Sequence, residues 1–332
     1  MRAGRAASLA ASTATLALCG CATQGPLLVP AGPGALPPRV ELVETLFFPQ
    51  RDYQCGPAAL ATVLAAAGVP VPADDLVAEV YLPGRRGSLQ AELIAATRSR
   101  GLLPYVVPPS SQSLLEQVAA GRPVLVLQKT GAGPWPGWHY AVVVGYDTRE
   151  DRIVLRSGTD ARLEMSAARF LATWDRADRW ALVVLAPGEL PANPDFARFM
   201  QAAAGLEATG RSEVAARAYE AATREWPMAA LPQLGLANLA YTRGDLAGAE
   251  QGFRAAIERA PGDAAARNNR ASVLLSLGCP LAARREIARA AMLADAGPYE
   301  AAVAATRGEI EAARGPDAAG CPPDPAPANS PP

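Results

Sequence analysis

The sequence predicts an α+β domain followed by an all-α domain of helical repeats. Two observations carry this. Between about Val40 and Pro187, helix-like patterns come first and strand-like runs follow, the order of an α+β domain built on an antiparallel sheet. From Phe196 onward the chain repeats with a period of 34 residues, the mark of stacked supersecondary units. A length of 332 residues fits two domains, and half the residues are apolar, enough for a sizeable core. The expected boundaries are 1–20 for an address segment, 21–39 for a tether, 40–190 and 195–314 for the two domains, and 315–332 for a disordered tail.

The elements follow in order. Cys55-Gly56-Pro57 opens an apolar run, Ala58 to Ala67, that stops at Gly68. Proline in a first turn and glycine past an end punctuate a helix. Further helices are expected over Ala73–Val80, Leu89–Arg100 and Ser111–Ala119. Strands are expected over Leu103–Val107, Val124–Gln128, His139–Tyr146, Arg152–Arg156 and Trp180–Leu185. The strongest, His139-Tyr140-Ala141-Val142-Val143-Val144-Gly145-Tyr146, follows a Gly/Pro/Trp-rich loop.

Composition excludes several classes. There are 31 basic and 32 acidic residues, so the strong positive excess of a nucleic-acid binder is missing. His139 is the single histidine among the 332 residues, and no pair of the five cysteines has C-x-x-C spacing. No metal site and no cofactor is expected. Imidazole chemistry, if any, must pass through His139.

At the N-terminus, Arg2 and Arg5 precede an apolar stretch, Ala6–Leu18, too short for a permanent span and suited to a signal-peptide core. It ends in Leu18-Cys19-Gly20-Cys21, which resembles the bacterial lipobox. The resemblance implies cleavage before Cys21 and lipidation of its thiol; bulky Leu18 makes Cys19 the poorer choice. Ala22 after Cys21 resembles the outer-membrane sorting class, facing the periplasm. Pro- and Gly-rich residues then lead to the first domain, as a tether would.

Cys55 opens a helix, where unpaired amides and the helix dipole favour a thiolate and are expected to lower its pKa. His139 opens a strand 84 residues later. That arrangement resembles papain-like cysteine peptidases, in which the two meet across a cleft. The stretches Phe48-Pro49-Gln50-Arg51-Asp52-Tyr53-Gln54-Cys55-Gly56-Pro57 and Trp138-His139-Tyr140-Ala141-Val142-Val143-Val144-Gly145-Tyr146-Asp147 resemble the C39-like peptidase family over roughly residues 42–187. The resemblance implies Cys55 as nucleophile, His139 as general base and Gln50 as an amide donor to the oxyanion, beside the Cys55 N–H. Gln54 rivals Gln50 but adjoins the nucleophile and points elsewhere. Trp135 and Trp138 flank the histidine loop, either as groove walls or as loop packing.

The family's third member departs. It is usually an aspartate on the strand after the histidine, where this chain reads Leu155-Arg156-Ser157-Gly158-Thr159-Asp160. Asp147 lies eight residues along the same strand as His139, about 26 Å away, and instead opens a turn to Asp151. Ser157 holds the motif position and Asp160 is the nearest carboxylate. A serine orients an imidazole but does not stabilise its cation as a carboxylate does.

In the repeats, Ala203, Ala237 and Ala271 recur at one place, as do Gly210, Gly244 and Gly278, Ala215, Ala249 and Ala283, and Tyr219, Phe253 and Ile287. Period and residue order resemble tetratricopeptide repeats, with two helices per unit and a concave surface for a protein or peptide partner. Tyr299–Ala313 suits a capping helix. Cys279 and Cys321 would pair in an oxidising compartment. Three functions stay open. The chain is a lipid-anchored peptidase, or an acyltransferase or amidase using the same pair of residues, or a non-catalytic peptide-binding scaffold.

Overall fold

The computed structural model describes residues 28, 36–131, 137–294, 297–313 and 315–324. The address segment, Cys19, Cys21, most of the tether and Trp135 lie outside the described residues. The first domain runs β1 (Arg39–Glu41), α1 (Cys55–Ala66), α2 (Ala73–Val80), a 3-10 turn at Pro83–Arg85, α3 (Gln90–Ser99), β2 (Leu103–Val106), α4 (Ser111–Ala119), β3 (Val124–Thr130), β4 (Gly137–Asp147), β5 (Arg152–Ser157), β6 (Asp160–Ser166), α5 (Ala167–Asp175) and β7 (Ala181–Leu185).

The strands form one antiparallel sheet in the order β2-β7-β3-β4-β5-β6, with β1 paired to β4. Alternation along β3 sorts the two cores, because successive strand side chains point to opposite faces. Leu125 and Leu127 pack with α1, α2 and α3. Val124 and Val126 pack with α4 and α5 on the other face. Helix α1 is apolar all round and buried from Cys55 to Leu64, as a helix held inside a core must be. Gly145 sits where β4 and β5 slip register. A Cβ there would come within 2.7 Å of the Val40 carbonyl, so the glycine lets β1 approach.

Elements β1, β6 and α5 are additional to those read from the sequence. Strand β6 has a clean alternation, Asp160, Arg162 and Glu164 against Ala161, Leu163 and Met165. Its signal is visible in retrospect.

The repeats are α6 (Phe196–Ala208) with α7 (Ser212–Glu225), α8 (Ala230–Thr242) with α9 (Leu246–Arg259), and α10 (Ala264–Ser276) with α11 (Pro280–Leu293), followed by α12 (Glu300–Ala312). The turns between paired helices hold Gly210, Gly244 and Gly278 at φ of 74°, 79° and 77°, a left-handed conformation that glycine takes without steric cost. The recurring alanines and the Tyr219, Phe253 and Ile287 positions are buried between helices.

The two regions share a core. Phe199, Met200, Ala203 and Leu206 of α6 belong to the same buried cluster as Leu103, Tyr105 and Leu185 of the sheet. Polar ties reinforce the seam. The Tyr105 hydroxyl accepts from Asp195 N at 3.1 Å. The Gln117 side chain both donates to and accepts from the Ala192 backbone, at 2.8 and 3.1 Å. The stretch that joins the two domains is therefore pinned at Ala192 and Asp195.

Of the tail expected over 315–332, residues 325–332 lie outside the described residues, and Gly315–Asp324 is held against the last repeat. Cys321 is disulfide-bonded to Cys279. Asp317 Oδ1 accepts from Leu281 N and Ala282 N at the start of α11, and Ala318 N donates to the Gly278 carbonyl. Composition argued for disorder because proline and alanine bury little; a covalent bond and a helix-capping carboxylate hold the segment to 324 instead.

Candidate active site

Cys55 is the first residue of α1 and is buried, with 9% of its surface exposed. Gly56 beside it is constrained by its neighbour: a Cβ there would meet Ser88 Oγ at 2.2 Å. The thiol faces a narrow cleft with about 10 Å3 of internal space, lined among others by Phe48, Gln50, Cys55, Tyr140, Arg156, Ser157 and Gly158. Gln54 is the residue capping α1 and is not among those lining the cleft.

His139 is held from β5. Its Nε2 lies 2.8 Å from Ser157 Oγ. Asp160 lies across the hairpin from Ser157 as the first residue of β6. It is exposed and makes no hydrogen bond to the imidazole. Of the two candidates for the third position, the serine is therefore brought to the ring and the carboxylate is not. Asp147 accepts from Arg149 N and Glu150 N, the turn expected of it.

Electrostatics depart from expectation at Cys55. The helix N-terminus was expected to lower the Cys55 pKa, yet burial pushes it up from 9.0. Backbone N–H groups of Tyr140, Gly56 and Cys55 itself pull the other way and are outweighed. Burial also pushes the His139 pKa down from 6.5. Among the described residues, no carboxylate pairs with the imidazole to offset desolvation of its cation. Both directions favour the neutral forms, thiol and imidazole. No hydrogen bond joins them in this state; the Tyr140 amide, next to His139, is the element of β4 at the thiol.

Two ties join the cleft walls, one between backbones and one from a side chain. Gln50 N donates to the Gly158 carbonyl at 3.0 Å. Arg156 donates to the carbonyls of Thr45 and Val43, each at 3.1 Å through Nη2. Sequence reasoning missed Arg156 and Gly158. Their partners are more than a hundred residues away along the chain, so no local pattern marks them. Gln50 Oε1 is buried and has no partner. Trp138 is exposed, with Lys129 Nζ 5.3 Å from its ring centroid.

Residues 42–181 match the Peptidase_C39 like family, and residues 200–264 and 234–301 each match a tetratricopeptide repeat. The chain carries a C39-like peptidase domain followed by tetratricopeptide repeats. Solved structures similar to it include a C39-like peptidase from Bacillus anthracis. That match has 18% identity and a TM-score of 0.36, and covers 44% of this chain and 97% of that one. Another is the peptidase domain of Streptococcus ComA, a bi-functional ABC transporter involved in a quorum-sensing pathway. Here identity is 21% and the TM-score 0.34, with 43% of this chain and 99% of that one covered. No curated protein matches the sequence. Within this C39-like domain, the cleft thus collects the cysteine, the glutamine and the serine that orients the histidine, and leaves the orienting carboxylate out.

Proposed function

We propose that the chain is a lipid-anchored cysteine peptidase, tethered through Cys21 to the outer membrane and facing the periplasm, with repeats that recruit a protein or peptide partner. The observation that carries this reading is the Gln50–Cys55–Ser157 cleft with His139 held at 2.8 Å from Ser157. With Nε2–H donating to Ser157, Nδ1 is the base. It takes the Cys55 proton as sulfur attacks the scissile carbonyl carbon. The oxyanion is received by the Cys55 N–H and the Gln50 amide. The imidazolium then protonates the leaving amine, and an acyl-enzyme remains. His139 next deprotonates water, which hydrolyses the thioester and frees the thiol.

Gln50 supports the reading physically. A buried amide atom without a partner is costly. Rotating the amide puts Nε2 where Oε1 now stands, ready to donate to an oxyanion. A larger hollow of about 560 Å3, lined by Phe48, Pro49, Pro70 and Val71 among others, shares Phe48 with the cleft and suits an apolar substrate side chain. Catalytic hydrogen bonds often tighten only when substrate binds, which is where the Cys55–His139 contact would form.

A second reading, a non-catalytic peptide-binding scaffold, is favoured by the raised Cys55 pKa and the absent carboxylate. An amidase or acyltransferase would use the same attack on a non-protein carbonyl. Labelling with an electrophilic, thiol-directed peptide probe separates catalysis from scaffolding. The peptidase reading expects labelling that vanishes in Cys55→Ser and falls steeply in His139→Ala. Equal labelling of wild type and Cys55→Ser, or none in any form, defeats it.

A further inference from the structure

The end of the repeat stack has chemistry that the peptidase reading does not use. Arg270 of α10 is fully buried and bonded to Glu250 of α9, at 2.7 and 3.0 Å, and to Glu286 of α11, at 2.6 Å. One Nη2 hydrogen is left over, and it donates to the Pro323 carbonyl at 2.9 Å. One residue on, the Asp324 carboxylate is held by Arg289 at 3.0 Å and by Arg285 at 3.4 Å. Burial works against the charge on Asp324, yet the two arginines outweigh it and its carboxyl stays below the usual carboxylate range. The tail thus lies on the stack as a bound peptide would. It offers a backbone carbonyl and an acidic side chain to an arginine-lined surface.

We propose that the Arg270–Arg285–Arg289 surface is a binding site for an acidic peptide segment, filled by the chain's own residues 315–324 while the Cys279–Cys321 bond is intact. Charge complementarity argues for this occupant. Glu286 is already matched by Arg267 and Arg270. Asp324 is the sole carboxylate on Arg285 among the described residues. Removing the tail therefore leaves Arg285 unpaired, Arg289 with only a 3.6 Å contact to Glu286, and an Arg270 donor without its acceptor. A segment of the same chemistry restores all three contacts.

The disulfide is the gate. A dithiol reductant supplies the two electrons. One of its thiolates attacks a protein sulfur and forms a mixed disulfide, and its second thiol displaces that sulfur. Cys279 and Cys321 leave as thiols, and the reductant leaves as its cyclic disulfide. The freed tail stays tethered at a high effective concentration, so it competes with an incoming segment until its own contacts are weakened.

The experiment uses the full chain in three forms: oxidised wild type, wild type reduced by a dithiol, and a Cys321→Ser/Asp324→Ala variant. The probe is a fluorescent peptide of residues 315–324 with serine at position 321, followed by anisotropy. The expected result is tightest binding to the variant, intermediate binding to the reduced chain and at least about tenfold weaker binding to the oxidised chain. Asparagine in place of the peptide's aspartate at 324, or Arg289→Ala in the variant, should each cost about tenfold. Equal titrations of the oxidised and opened chains, indifference to the aspartate, or no binding to either opened form would overturn the proposal.

Discussion

The backbone N–H of Gln50 donates to the carbonyl of Gly158 at 3.0 Å, one residue past the serine that holds His139. The segment of the proposed oxyanion donor is therefore tied to the hairpin turn that carries the imidazole's partner. Arg156, on the other side of Ser157, extends the same turn to Thr45 and Val43.

This mounting makes Ser157 a positioning residue with a distinct signature. Ser157→Ala is expected to lower kcat/KM for a peptide substrate about tenfold, about 1.4 kcal/mol, by freeing the ring. Ser157→Asp places a carboxylate beside Nε2 and raises the imidazole pKa. The acid limb of kcat/KM then moves to higher pH. Asp160→Asn, at an exposed position off the ring, should leave the profile unchanged. A pH–rate series on the three variants checks this; an acid limb that follows Asp160→Asn would assign the imidazole to the wrong partner.

Burial of the neutral pair predicts a pH dependence of both reactivity and stability. The Cys55 pKa is raised from 9.0, so alkylation by iodoacetamide should be slow at neutral pH and climb above pH 9. A folded pKa above the unfolded one stabilises the fold below pH 9.0, and that contribution is lost as pH rises through the folded value. The His139 pKa is lowered from 6.5. Its contribution is present above pH 6.5 and is lost as pH falls through the folded value. Urea melts across pH should show Cys55→Ser flattening the alkaline side alone and His139→Gln the acidic side alone.

How much of this was legible depended on the range of the interactions. The repeat starts at Phe196, Ala230 and Ala264 coincide with the starts of α6, α8 and α10, because small residues and left-handed glycines recur at a local period. Cys55 at a helix start and His139 on a strand were also legible, since each carries its own flanking pattern. The cysteine's pKa was not. A helix terminus is visible in sequence, whereas the burial that overrides it comes from the sheet packed on α1. The docked tail was hidden for a related reason: its partners, Arg270, Arg285 and Arg289, lie 35 or more residues away. The shared core was hidden too, because α6 looks like any amphipathic repeat helix until Leu103 and Tyr105 are placed beneath it.

That shared core predicts coupled unfolding. Leu206 of α6 is fully buried in the cluster that contains the sheet residues. Leu206→Ala should cost about 2–5 kcal/mol. The loss should appear equally in a probe of the peptidase region, such as Cys55 protection from alkylation, and in helical circular dichroism. Two separated transitions, with only the helical one shifted, would mean that the seam does not couple the regions.

The buried arginine makes the last prediction. Arg270 bonds both Glu250 and Glu286, but the two carboxylates are not equally dependent on it. Glu286 retains Arg267 at 2.5 Å and Arg289 at 3.6 Å, whereas Arg270 is the sole ion partner of Glu250 among the described residues. Arg270→Ala should therefore destabilise the chain by about 3–5 kcal/mol, mostly by leaving one buried, uncompensated carboxylate. Arg270→Ala combined with Glu250→Gln removes that carboxylate and should recover part of the stability. Denaturant melts of the two variants measure this, and a loss in Arg270→Ala untouched by Glu250→Gln would place the cost in lost packing instead.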